Sequence, residues 1–559
     1  MKMGIGKKYS EIGAIRKDPG GKLNVLLVFP NSYFVGMSNL GFHTIYAALN
    51  SLDFVRCERA FIPERSQRGE TAAPVSADSG ELPSRFDVIA FSMSFENDYP
   101  NLVRFLSMSG IETSAGARSF GEPLVVAGGC AVSANPEPLA QFVDAFVIGD
   151  GEFAILELAE VLFSAKYEKA ERSELLDRVS AIDGVYVPNL FTIEYGPDGT
   201  VATIKAKGDR NGVERRATAR ESLKPARTVI FTEDTEFGHV GLVEAVRGCP
   251  RACRFCMASY CNRPARFMTP QDILYAAKEI KPYRKAVGLL GSAVADHPNL
   301  PEILENLLGM GMGITVSSLR ADRIDAAVLD LLRRGGQQTI TIAPESGDEN
   351  LRAAISKECS DDVLIEVAAQ VASAGFRSLK LYFMVGLPGE TMDEVEKIVS
   401  LVKRMKHGLK ERSLGKRDVL INVSVASFVP KAQTPLQWEA MLDPSELARR
   451  IKAVKVGLGS TRGVSVHADV PKWAFMQAAL SRGDRRSARL VSALAETDFD
   501  WHAARKMVDI NPEFYAQRER RWGEILPWSH ISSGVCDNEL RRDAERYRSR
   551  LKGATNATG

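Results

Sequence analysis

The sequence predicts an α/β protein in three parts: an open parallel sheet at the N-terminus, a partial (β/α)6 barrel in the middle and a helical extension at the end. Three observations lead there. Short apolar runs closing on small or polar residues recur between Lys22 and Glu152, with helical periodicity between them. A second series of six such runs starts at Gly241. After Pro435 the sequence turns helical and aromatic. At 559 residues the chain is longer than one core normally serves, so several packed units are expected.

In chain order, LNVLLVFP from Leu23 reads as a buried strand, followed by a helical stretch from Met37 to Asn50. DVIAFSMS (87–94), PLVVAGG (123–129) and DAFVIGDGE (144–152) are further buried strands, which together give an open, Rossmann-like parallel sheet. Between Gly184 and Lys207 the helical period disappears, and strands around Gly-Pro-Asp-Gly predict a connecting hairpin. GLVEAVR, AVGLLGS, GITVSS, TITIAPES, SLKLYFMVGLPGE and LINVSVASFVP then supply six βα units. Thr269 is the expected N-cap of the first intervening helix, with Pro270 at its first position. The expected boundaries are 1–183 for the sheet domain, 184–235 for the connector, 236–435 for the barrel and 436–559 for the extension.

Lys and Arg total 72 against 70 Asp and Glu, so no single-sign field exists to hold nucleic acid or an anionic membrane. RERRW and RRDAERYRSR carry mixed charge and read as solvated helix faces. The first residues lack the apolar core of a secretory signal, and no run is long enough to span a bilayer; a cytoplasmic location is the expectation. Eight cysteines are too few for a disulfide framework in a chain of this length.

Three of them, Cys249, Cys253 and Cys256, lie within eight residues directly after the first barrel strand, at the end where barrel folds carry their chemistry. Iron–sulfur clusters normally take four thiolates, so three on one loop can leave an iron open. The alternative is structural zinc, with Cys261 or His239 as fourth ligand, although zinc sets usually come as two separated pairs.

The string RGCPRACRFCMAS, with Phe255 before the third cysteine, resembles the cluster motif of the radical S-adenosylmethionine superfamily. The resemblance implies a 4Fe–4S cluster on Cys249, Cys253 and Cys256, with S-adenosylmethionine chelated at the open iron and Cys261 a bystander. It also implies a cofactor pocket along the strand ends. Gly291 and Ser292 stand where the family usually has a Gly-Gly-Glu-like stretch, here without the acid. Ser318 and Arg320 follow the third strand, where a guanidinium suits a carboxylate. Glu345 in APESG resembles the family's acid near the ribose or amino group, and Gly386 and Gly389 in VGLPGET its adenine-side glycine turn. No catalytic side chain is assigned beyond the cluster.

AGGCAVSANPEPLAQFVDAFVIGDGE resembles the later half of a cobalamin-binding-like domain, with Gly128, Gly129, Gly149, Asp150, Gly151 and Glu152 as the candidate cobalamin contacts. The Asp-x-His-x-x-Gly signature of a cobalt-ligating histidine is absent, and His43 stands in no such context. The resemblance extends through PNSYFVGMSNLGF, CERAFIPE, SRGDRR and NPEFYAQRERRWGEILPWSHISSGV. It implies a radical enzyme, a transferase in expectation, fed by a reductant such as flavodoxin or ferredoxin. Cobalamin-dependent methyl transfer is the leading elaboration. A methylthiotransferase would need three more cysteines upstream, where only Cys57 and Cys130 stand, and a C-terminal β-barrel. A zinc-stabilised binding protein is the non-enzyme alternative. Trp473, Trp501, Trp522 and Trp528 are expected to pack the extension onto the barrel or to line the substrate pocket.

Overall fold

The computed structural model describes residues 9–64, 72–119, 121–208, 212–412 and 418–556. The N-terminal apolar runs form β1 (Leu23–Phe29), β3 (Val88–Ser92), β4 (Leu124–Gly128) and β5 (Ala145–Val147). They are joined by β2 (Val55–Phe61) and β6 (Val185–Tyr186) in the order β2-β1-β3-β4-β5-β6. All pairs are parallel except β5 with β6.

Sequence reading missed β2, because VRCERAF carries three charges. All seven residues are nevertheless buried. Arg56 is matched by Glu58 and Glu81, and Arg59 by Glu11 and Asp78, so partners from distant loops allow charged side chains into a core. β6 also corrects the expected boundary, since it completes the first sheet rather than opening the connector.

The predicted hairpin is β7 (Phe191–Tyr195) with β8 (Val201–Ala206), and β9 (Val213–Glu214) follows it. The barrel begins with β10 (Val240–Glu244). A short antiparallel pair, β11 (Val246–Arg247) and β12 (Arg266–Phe267), then brackets the cysteine loop. β10, β13 (Ala286–Leu290) and β14 (Gly313–Val316) form one parallel sheet. β15 (Thr339–Glu345), β16 (Ser378–Val385), β17 (Leu420–Ser427) and β18 (Val464–Ala468) form another. A parallel bridge from Leu319 to Ile342 links the two into a partial barrel that does not close. The helix Pro270–Ile280 starts as read, with Thr269 Oγ1 accepting from Asp272 N at 3.1 Å.

The C-terminal extension is mainly helical and carries two short strands. β18 is a seventh barrel strand, too short between two helices to declare itself, and β19 (Ile531–Ser532) runs back to pair with β9. The remainder is helical, ending in Asp537–Asn556. Trp501 and Trp528 are buried, Trp438 stacks on Trp522, and Trp473 is exposed. Many arginines of the two basic runs are spent on internal partners: Arg518 on Glu524, Arg520 on the Arg482 carbonyl, and Arg548 on Glu439. Among the described residues no helix is long and apolar enough to cross a membrane.

In the four-stranded half of the barrel, Ile340, Ile342, Leu379, Leu381, Phe383, Ile421, Val423 and Val425 are buried in the core that includes the helices Asp361–Ser373 and Met392–Arg412. The alternate residues Thr341, Lys380, Tyr382, Asn422 and Ser424 face the interior, because successive side chains point to opposite sides of a strand. Barrel interiors are usually filled with branched apolar layers. This one is polar and reached by solvent, with Tyr382 37% exposed.

After β3 the chain buries Asp98, which accepts from Asn31 Nδ2 at 2.8 Å. Burial pushes its carboxyl up to about 6. The folded state therefore holds a proton that the unfolded state releases near pH 4, so stability falls as pH rises from about 4 to 6 and stays reduced above. Asp98→Asn should be more stable than the parent at pH 7.5 by about 1–3 kcal/mol, with the advantage vanishing near pH 4. Urea denaturation at both pH values measures this, and an equal offset at the two would contradict it.

Candidate functional site

The cysteine loop opens on Gly248, whose φ of +78° and lack of room for a Cβ, 2.1 Å from the Asn262 carbonyl oxygen, explain the glycine. Cys249 and Cys253 are buried and Cys256 is half-buried. The loop curls tightly, Cys256 N donating to the Cys253 carbonyl at 3.0 Å. Burial pushes the Cys253 thiol up to about 11; Lys357 opposes the shift, while the neighbouring Cys249 and Cys256 add to it. Among the described residues no three potential ligands gather tightly enough for a single metal ion, and neither Cys261 nor His239 completes such a shell. Cys261 instead lies in an apolar cluster with Trp438 and Trp528. A cubane cluster interposes its own iron and sulfide between thiolates, so three cysteines on one loop, spread wider than a mononuclear shell, fit that group.

Two other parts of the chain hold this loop. On one side Arg247 meets Glu244, Asp150 and Glu152. On the other lies the C-terminal helix Asp537–Asn556, where Asp543 accepts from Tyr260 Oη at 3.2 Å and Glu539 pairs with Arg263. Tyr547 of that helix donates to the Pro388 carbonyl at 2.5 Å and sits in an apolar cluster with Leu351, Ile355, Leu387 and Phe428, onto which Phe255 packs. Sequence reading did not place the helix here; its contacts span nearly 300 residues.

The strand ends vary in how far they match expectation. Gly291 has φ +153° and no room for a Cβ beside Val246, and Ser292 after it is exposed. Ser318 is exposed, and Arg320 is held in a fork by Asp322 at 2.9 and 3.1 Å. Glu345 ends β15 with φ +70° and receives Lys357 Nζ at 2.6 Å. Lys357, beside Cys253, had no sequence signal beyond being a charge in SKEC. Gly386 and Gly389 have positive φ, and Leu447 and Leu551 fill the space that a Cβ would need. Gly386 N donates to Glu390 Oε2 at 2.6 Å, and Arg450 reaches the same oxygen at 2.8 Å. Burial pushes Glu390 up to about 7, and its Oε1 is buried without a partner.

A cavity of about 410 Å³ lies between the C-terminal ends of the first sheet and the barrel. Gly128, Gly129, Gly149, Asp150, Gly151 and Glu152 line one side; Arg247, Gly248, Gly291 and Ser292 line the other. Packing already accounts for two of these glycines: a Cβ on Gly129 would lie 2.4 Å from the Met93 carbonyl oxygen, and one on Gly149 2.2 Å from that of Arg216. His43 does not line the cavity. Its Nε2 is 3.0 Å from the Met37 carbonyl, Val229 N donates to Nδ1, and burial pushes its pKa down to about 4, so it is a neutral core histidine.

Two family models match the chain: "Radical SAM proteins, N-terminal" over residues 41–188 and "Radical SAM superfamily" over residues 243–402. The chain belongs to the radical SAM superfamily. It is a radical SAM enzyme, of a family that uses a 4Fe–4S cluster and S-adenosylmethionine. An uncharacterised protein of Methanocaldococcus jannaschii is 27% identical over 82% of this chain and 89% of its own. A tRNA-2-methylthio-N(6)-dimethylallyladenosine synthase of Bacillus licheniformis is 24% identical over 30% of this chain and 35% of its own. The cobalamin-dependent S-adenosylmethionine radical enzyme OxsB, solved with aqua-cobalamin and S-adenosylmethionine, aligns over 96% of this chain and 80% of its own at 12% identity, TM-score 0.46.

Because Tyr547 is fully buried beneath Phe255, Tyr547→Ala should cost this radical SAM protein about 3–5 kcal/mol and weaken its hold on iron. Denaturation and iron retention on desalting measure the two effects. Undiminished iron would show that the helix does not secure the loop.

Proposed function

We propose that the enzyme holds its cluster on Cys249, Cys253 and Cys256, leaves one iron free for S-adenosylmethionine, and starts radical chemistry on a substrate in the barrel. The observation that carries this reading is the isolated three-cysteine loop at the C-terminal mouth of a partial parallel barrel. When bound, the cluster supplies the single electron that opens the sulfonium. The chain's own residues bind, orient and exclude water. Phe255 shields the loop on its apolar side. Lys357 and Arg320, both near Cys253, are candidate cations for the methionine carboxylate, although each must share its charge with Glu345 or Asp322. The backbone at Ser292 is the candidate for the amino end, Ser318 and Glu345 for hydroxyl groups, and the turn from Gly386 to Gly389 for the adenine. The polar interior around Thr341, Tyr382 and Ser424 receives the substrate.

The interdomain cavity is the candidate cobalamin site, because it lies on the C-terminal edge of an open parallel sheet and faces the cluster loop. Cobalamin there would make methyl transfer, and hence a transferase, the working assignment. Among the described residues that line the cavity there is no histidine. A second reading is favoured by size: about 410 Å³ suits a drug-sized molecule, and a whole corrinoid would project beyond it. In that reading the cavity takes part of the substrate. A one-electron donor of the flavodoxin or ferredoxin type completes the cycle, and a cytoplasmic setting keeps the ligand thiols reduced.

Purification without oxygen from cells supplied with iron and cobalamin should give about four iron per chain, lost in Cys253→Ala. Stoichiometric cobalt supports the methyl-transfer reading, and iron without cobalt favours the second. Zinc in place of iron overturns both. Lys357→Ala should weaken S-adenosylmethionine binding about tenfold, as loss of a charge-assisted hydrogen bond predicts, and calorimetry on the reconstituted protein measures it.

A further inference from the structure

We propose that Asp150 and Glu152, at the start of the helix Gly151–Glu168 that follows β5, are positioning residues for the cluster, acting through Arg247. The inference rests on the cluster assignment above and goes beyond it, since it gives the Gly-Asp-Gly-Glu stretch a task that needs no cobalamin.

Arg247 stands two residues before Cys249, and its side chain is 14% exposed. Its Nε and Nη2 donate to the two oxygens of Glu244 at 2.9 and 2.8 Å. Its Nη1 turns to the other domain, pairing with Glu152 and lying 3.3 Å from Asp150. Asp150 is fixed in turn, accepting from Thr218 N at 2.8 Å and pairing with Arg266, which lies opposite Arg247 in the β11–β12 pair. Arg215 adds a further positive charge near Asp150.

The connection to the ligands has little slack. Gly248 joins Arg247 to Cys249 in a left-handed turn pressed against the Asn262 carbonyl. A change in how Arg247 is held therefore passes to the first cluster ligand across one residue. Local charge and hydrogen bonding set the potential of an iron–sulfur cluster, so the acids act electrostatically as well as by geometry. Glu152 and Arg247 both line the interdomain cavity, which brings any occupant against the same joint.

The test compares the full-length parent with Glu152→Gln, Glu152→Asp and Asp150→Asn after anaerobic reconstitution. It reads iron per chain, the electron paramagnetic resonance spectrum of the reduced cluster, and its midpoint potential. Removing a negative charge should shift the midpoint positive, so a several-fold larger fraction of Glu152→Gln is reduced at a fixed applied potential, with an altered spectrum. Glu152→Asp, which keeps the charge, should return most of the way to the parent. A parent-like potential and spectrum in both Glu152→Gln and Asp150→Asn overturn the proposal. If Glu152→Gln fails to fold by circular dichroism, Asp150→Asn alone decides. Loss of iron from a folded variant, with Glu539→Gln on the opposite side of the loop keeping its iron, supports positioning; equal loss from both overturns it as a general fragility of the loop. A parent without iron would sink the cluster assignment itself.

Discussion

The contact of Arg247 with Glu244, Glu152 and Asp150 is the joint around which the two sheets meet. It turns the C-terminal ends of the first sheet toward the C-terminal ends of the barrel, and the interdomain cavity is the space this leaves. Burying Asp150 and Arg266, and half-burying Arg247, Glu244 and Glu152, is costly unless each charge is matched and hydrogen-bonded in place. Matched, such a network disfavours other docking angles, since a small rotation would strand a buried charge. Gly129, Gly149 and Gly291 belong to the same design, because any side chain there would push the close-packed backbone apart.

The opposite face of the cysteine loop depends on the last described residues of the chain. The helix Asp537–Asn556 sets Asp543 and Glu539 against Tyr260 and Arg263 and wedges Tyr547 between Leu351 and Leu387. The loop is thus held by polar contacts from the sheet domain on one side and by polar and apolar contacts from the extension on the other. A reactive centre needs that restraint, because a ligand loop free to move would hold its metal poorly. The barrel itself supplies an interior that stays open and polar, unlike the packed layers that normally stabilise such a fold.

Much of this was legible in the sequence wherever a local pattern carries the information. Uniform apolar runs marked β1, β3, β4 and β5, the Gly-Pro-Asp-Gly turn marked the hairpin, and the cysteine spacing marked the candidate ligand loop. β2 escaped because its charges find partners in loops far along the chain. β18 escaped because five residues between helices carry too short an alternation. Lys357 and Glu390 carry no local sequence signal that sets them apart from other charges, and only their placement beside Cys253 and under the glycine turn singles them out.

The sequence by itself determined the superfamily, the three ligand cysteines as candidates and the α/β class, since each rests on residues adjacent in the chain or on a repeating period. The tertiary structure alone decided that the Gly-Asp-Gly-Glu stretch grips Arg247, that the C-terminal helix backs the cysteine loop, and that a cavity of about 410 Å³ separates sheet from barrel. Those are contacts between residues about a hundred to three hundred positions apart. They depend on how whole sheets and helices pack, and no local periodicity encodes that.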